Sequence, residues 1–124
     1  MRYLILIHSN PRSRAIWESF SGEEQAEGFA AYGRIAEELA ASGELVVTEA
    51  LGDPSLTWRS PVTEPSFATA GDGPYAEAKE LLGGFFLVDC ASMERAVEIA
   101  SSIPEAPLGL VEVRPVMDLS AEDL

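Results

Sequence analysis

The sequence of 124 residues predicts a single α+β domain whose elements follow the order βαββαβ. Three observations carry that expectation. Four apolar runs of strand length lie at 2–8, 44–52, 85–89 and 108–116, flanked by Gly, Pro, Asn or Asp. The segments after the first and third runs repeat apolar residues at i, i+3 and i+4, the period of a helix with one buried side. The second and third runs are joined instead by a stretch rich in Pro and Gly.

Residues 2–8 read as the first strand. Tyr3, Leu4, Ile5, Leu6 and Ile7 are apolar on both faces, which places this strand centrally in its sheet. Asn10-Pro11 reads as a loop signal, and residues 9–20 as a polar loop or loose turn anchored by Trp17 and Phe20. Ser21-Gly22-Glu23-Glu24 then has the S-x-x-E spacing of a capping box, in which each side chain accepts from the other residue's backbone amide. The helix it opens runs to about Ser42 and stops at Gly43, a suitable residue for a left-handed cap. Its apolar stripe is Phe29, Tyr32, Ile35/Ala36 and Leu39/Ala40, with Glu23, Glu27, Arg34 and Glu38 on the opposite side.

Residues 44–52 read as the second strand, where Glu49 alternates onto the face of Leu45, Val47 and Leu51. A short hairpin is expected over Leu56–Arg59 and Ser66–Thr69, with Trp58 and Arg59 available to line a pocket. The third strand is expected at Phe85–Asp89. Ser92 caps a second helix with Met93, Ala96, Val97, Ala100 and Ile103 on its apolar side, and Pro104 ends it. The last strand is expected within 108–116, with Glu112 and Arg114 making one of its faces polar. The domain is expected over 1–117, followed by a frayed acidic tail over 118–124.

This order is the split βαβ arrangement of ferredoxin-like folds, with both helices on one face of a four-stranded antiparallel sheet. The strands are apolar on their other face too, and a chain this short has nothing left to cover it. The expected solution is a twofold homodimer with the two sheets packed face to face.

Composition narrows function. Eight basic against 21 acidic residues give a net charge of −13, which argues against nucleic acid and anionic membrane surfaces as partners. No apolar run approaches the roughly 20 residues that span a bilayer. The opening Met1–His8 is too short for a leader and lacks a small-residue cleavage site, so the chain is expected to be cytoplasmic. The single cysteine, Cys90, at the end of an apolar strand, reads as a buried small hydrophobe. A single His, the absence of a phosphate loop and the absence of a dinucleotide fingerprint point to no metal and no cofactor.

The chemistry-bearing stretch is 71–84. It holds Lys79, the only lysine, and four of the ten glycines. Between the hinges Gly73-Pro74 and Gly83-Gly84 sit Tyr75, Glu77, Lys79 and Glu80, with Asp72 just ahead of them. Taken by residue type, this is either a polar site or a turn followed by a short solvated helix. His8, the only histidine, stands at the end of the first strand, where it serves either as an acid–base group or as a hydrogen-bonded edge residue.

Asp72-Gly73-Pro74-Tyr75-Ala76-Glu77-Ala78-Lys79-Glu80, followed by Leu82-Gly83-Gly84-Phe85-Phe86-Leu87, resembles the DGPF motif of the YCII-related (DGPF-domain) family, with Tyr75 in place of the motif's usual Phe. The opening Met1–Ile7 and the closing Val111–Val116 are similar to the family's two ends. The resemblance implies a dimeric α+β barrel built from ferredoxin-like subunits. Within the family it implies either small-molecule chemistry, such as dehydrochlorination of aromatic compounds, or association with sigma-factor-type regulators. One branch carries a His on the first helix and an Asp near its end as an acid–base pair; the corresponding positions here are Tyr32 and Ala41.

Two functions therefore stay open. One is an enzyme performing metal-free acid–base chemistry on a small cyclic or aromatic metabolite. In it Asp72 would lie partly desolvated beneath Tyr75 and Trp58, His8 or Lys79 would be the complementary group, and Tyr32 and Glu77 would help bind the ligand. The other is a non-catalytic ligand-binding or regulatory dimer using the same cleft.

Overall fold

The computed structural model describes residues 1–68 and 80–120. Four strands form one antiparallel sheet: β1 (Arg2–Ser9), β2 (Leu45–Ala50), β3 (Leu81–Asp89) and β4 (Val111–Pro115), in the spatial order β2-β3-β1-β4. With a helix after β1 and another after β3, this is the expected α+β arrangement, consistent with a ferredoxin-like fold.

Strand alternation explains which residues go inside. Tyr3, Ile5 and Ile7 of β1 and Phe86 and Val88 of β3 share one face and are buried. Two helices cover that face. One, α2 (Gly22–Ser42), contributes Leu39, with Tyr32, Ile35 and Ala36 packed alongside; the other, α4 (Met93–Ser101), contributes Ala96, Ile99 and Ala100. Ile103, Leu110 and the free thiol of Cys90 complete the core. The capping box on α2 is formed, with Glu24 N–H donating to Ser21 Oγ at 3.1 Å and Ser21 N–H donating to Glu24 Oε1 at 2.9 Å. Gly43 ends α2 at φ 80°, a conformation that a β-carbon disfavours.

The opposite face of the sheet carries Leu4 and Leu6 of β1 and Phe85 and Leu87 of β3, all half-buried. Arg114 stands beside Leu4 and Glu112 beside Leu6 on β4, so charged residues flank this apolar strip.

Three expectations are corrected. Residues 9–20 are not a loop but contain α1 (Pro11–Ser19). Asn10 caps it, accepting from Ser13 N–H at 2.8 Å, and Pro11 takes the first helical position, where its missing N–H costs nothing. The expected hairpin is not formed either. In its place a 3₁₀ turn covers Pro54–Leu56, capped by Asp53, whose side chain accepts from Ser55 N–H, and a four-residue helix, α3, covers Pro65–Ala68; a proline takes the first position of each, where its fixed φ suits a helical turn and its missing N–H costs nothing. Finally, β3 starts at Leu81 rather than Phe85, and its glycines lie inside it. The pairing slips between Ile7↔Gly84 and His8↔Leu82, so Gly83 is the extra residue of a β-bulge. A β-carbon on Gly84 would meet Glu49 O at 2.9 Å, so β2 and β3 approach there as closely as glycine allows. The slip between Leu45 and Val47 also separates Leu45 from the face of Glu49.

Candidate functional site

Helix α1 turns back from the end of β1 and leans on α2. Trp17 packs edge-on against Phe29 of α2 at 5.2 Å and against Phe20 at 6.0 Å. Its backbone carbonyl accepts from Gln25 Nε2 at 3.0 Å. The ring fits because residue 28 has no side chain: a β-carbon there would lie 2.8 Å from the indole. Between α1, α2, the end of β1 and the segment after β2, this leaves a cleft of about 470 Å³. A second recess of about 310 Å³ adjoins it over the ends of β2 and β3, and the two share Trp17, Tyr32 and Glu105 among their walls.

The walls are mostly apolar, with Ile16, Trp17, Phe20, Leu51 and Leu108 prominent. Several of its polar groups are held by hydrogen bonds. Arg14 donates to Ser9 Oγ at 2.9 Å, which keeps its charge beside the cleft. At the meeting point of both recesses Tyr32 Oη donates to Glu105 Oε2. Burial first, and then the hydrogen bond and negative charge of Glu105, raise the Tyr32 phenol well above its ordinary range, so it stays protonated. The other oxygen, Glu105 Oε1, is buried without a hydrogen-bond partner, the only such side-chain atom among the described residues.

Of the residues singled out from sequence, Tyr32 lies in the cleft. His8 borders it through its position at the end of β1, but alternation puts the imidazole on the face of Leu4 and Leu6, where Nε2 is 2.7 Å from Glu112 Oε1. Trp58 is 80% exposed and lines neither recess. Asp72, Tyr75, Glu77 and Lys79 lie outside the described residues. Glu105, Arg14 and Trp17 were not singled out as site residues. The Asn-Pro helix start could have placed Arg14 and Trp17 on α1. Nothing local marks Glu105, which meets Tyr32 across 73 residues of chain. Among the described residues no three of His, Cys, Asp and Glu converge as a metal would require. No helix of the described residues is long and apolar enough to cross a membrane.

An α+β sheet covered by two helices, with a cleft beside its central strand, defines the class, and the sequence gives the family. The chain belongs to the YCII-related domain family, whose model matches residues 1–120. It is 49% identical over 47 residues to an uncharacterized protein of Rhizobium meliloti (strain 1021); that match spans 36% of this chain and 38% of the relative. Among solved structures it is similar to the 5-chloro-2-hydroxyhydroquinone dehydrochlorinase TftG of Burkholderia phenoliruptrix AC1100, solved in complex with 2,5-dihydroxybenzoquinone. That similarity has a TM-score of 0.54 at 15% identity and covers 97% of both chains.

Proposed function

We propose that this chain is a small-molecule enzyme that performs acid–base chemistry on a small cyclic or aromatic metabolite in the cleft between α1, α2 and the end of β1. The observation that carries this reading is the cleft itself. Its volume of about 470 Å³ is that of a small-molecule site, and its largely apolar walls, with Trp17 and Phe20, include hydrogen-bonded polar groups such as Arg14, Tyr32 and Glu105. The fold shared with a dehydrochlorinase that takes a quinone-type ring supports the same substrate class. Asp72 of the DGPY sequence and the neighbouring Lys79 are proposed to complete the site. The working unit is proposed to be a cytoplasmic homodimer closed over the apolar strip of Leu4, Leu6, Phe85 and Leu87.

The test is a thermal-shift series with 2,5-dihydroxybenzoquinone and a panel of hydroxylated rings. A ligand present at 100 times its Kd adds about 2.7 kcal/mol of stability, a readable shift. Wild type should be stabilised, Trp17→Ala should lose the effect, and turnover of the stabilising compounds should fall in Asp72→Asn. If no ring compound stabilises the wild type, the cleft is not a ring site.

A further inference from the structure

Tyr32 and Glu105 come from distant parts of the chain and meet where the two recesses join. The hydroxyl hydrogen of Tyr32 is committed to Glu105 Oε2, which leaves the lone pairs of Oη as acceptors on the cleft side. Glu105 Oε1 has neither a hydrogen-bond partner nor contact with solvent, and the Tyr32 phenol is the one side chain to which the carboxyl group is hydrogen-bonded. A buried polar atom left unsatisfied is costly, and its retention calls for a reason. A carboxylate whose one side-chain partner is a half-buried tyrosine lining the cleft supplies that reason.

We propose that Tyr32 and Glu105 form a proton relay, and that the ligand it serves is a ring bearing a hydroxyl hydrogen. Tyr32 Oη accepts from the ligand hydroxyl. As the ligand O–H bond breaks, its electron pair stays on the ligand oxygen and its proton bonds to Tyr32 Oη. The proton already on Tyr32 passes to Glu105 Oε2 in the same movement. One negative charge moves from carboxylate to ligand, Tyr32 is regenerated, and no oxidant or co-reactant is required. Tyr32 is the residue that touches the ligand; Glu105 stands behind it, taking the relayed proton and fixing the direction in which the phenol points its hydrogen. This assignment rests on the reading of the cleft as a ring site.

Calorimetric binding of two matched probes tests it: 4-nitrophenol, held below its own pKa so that it keeps its proton, and 4-nitroanisole, which has the same ring with the hydrogen replaced by methyl. Wild type should prefer the phenol by roughly fivefold or more, the worth of one hydrogen bond. Tyr32→Phe should lose that preference while binding the anisole as wild type does. Glu105→Leu should lose it as well, because Tyr32 is then free to turn its hydrogen towards the oxygen of either probe, whereas Glu105→Gln, whose carbonyl can still accept from Tyr32, should keep it; a merely structural role would not move this ratio. Equal affinity of wild type for the two probes overturns the relay and leaves the ring site standing. Failure to bind either probe overturns the ring site and the relay together. Should a variant fold poorly, the wild-type comparison of the two probes still decides.

Discussion

Trp17 and Gly28 are fitted to each other: the indole of α1 occupies the space that a side chain on α2 would take, with only 2.8 Å left to a β-carbon. The contact joins the two helices that wall the cleft. Gly33, one and a half turns further along α2, has nothing within 4 Å of the same position.

The two glycines should therefore respond oppositely to alanine. Gly33→Ala should stabilise the protein by roughly 0.5–1 kcal/mol in urea unfolding, because Ala orders a helix at less entropic cost. Gly28→Ala has the same propensity gain but sets it against overpacking of about 1–3 kcal/mol. It should be neutral or destabilising, and should weaken the thermal shift given by ring ligands. Equal stabilisation by both changes would mean that Trp17 is not seated on α2.

Glu44 and Arg95 fix the start of β2 to α4. Arg95 Nη2 is 2.8 Å from Glu44 Oε1 and its Nε is 2.9 Å from Glu44 Oε2. The two bonds from Arg95, with one from Ser42, hold the Glu44 carboxyl at about 2 against an ordinary 4.5. A carboxylate lowered on folding contributes stability above its unfolded value, and that contribution is lost as pH falls through the folded one. Glu44→Gln should lower the melting temperature at neutral pH. Its deficit relative to wild type should shrink as pH falls from about 4.5 towards 2. A deficit unchanged across that range would show the ion pair contributing nothing.

Tyr32 gives the opposite arm of the pH profile. Its phenol is raised above the ordinary value of 10.0, so above that pH the unfolded chain loses a proton that the folded chain keeps. Stability should fall as pH rises beyond about 10, and Tyr32→Phe should flatten that decline. At neutral pH the same change leaves Glu105 with no partner and should cost roughly 1–3 kcal/mol. An alkaline decline of the same slope in Tyr32→Phe would remove Tyr32 as its source.

Faces of the sheet should separate folding from association. Phe86 is 2% exposed in the core, so Phe86→Ala should cost about 3–5 kcal/mol of stability. Leu6 sits half-buried on the other face between Phe85 and Glu112. Leu6→Arg should spare most of the stability and halve the mass measured by light scattering, to the 13.3 kDa of one chain. A wild type that already runs at that mass would remove the dimer.

The sequence disclosed features whose cause is local. The Ser21 and Glu24 cap, the αL glycine at 43 and the apolar periods of α2 and α4 are set by neighbours a few residues away, and they placed the sheet and its cover. Asn10-Pro11 is legible too, but the same dipeptide opens loops as well as helices, and the Asn10–Ser13 cap together with the docking of Trp17 on Gly28 favours the helix. For the hairpin, the short runs at 56–59 and 66–69 suggest pairing, but Pro54 and Pro65 start helical turns that take up part of each run. The candidate site was the least legible part. Tyr32 stands out because it falls where one branch of the family carries a His, whereas Glu105 sits in a connection between two prolines and gains meaning only when the fold brings it to Tyr32. His8 illustrates the converse. A lone histidine at a strand end invites a catalytic reading, and alternation along β1 turns its ring towards Glu112 on the far face.

The bulge at Gly83 makes the count of residues at the head of β3 a matter of parity. With the extra residue in place, Leu81 and Leu82 project on sides set one step out of phase with Phe85–Asp89. Removing Gly83 alone would leave Leu82 opposite His8 and Leu81 opposite Ser9 and turn the bulge into a regular ladder; removing Leu82 as well would bring Leu81 opposite His8 and exchange its side. The head of β3 thus has one residue of slack. Deleting Gly83 should leave this end of the sheet paired, and deleting Leu82 and Gly83 together should disturb it.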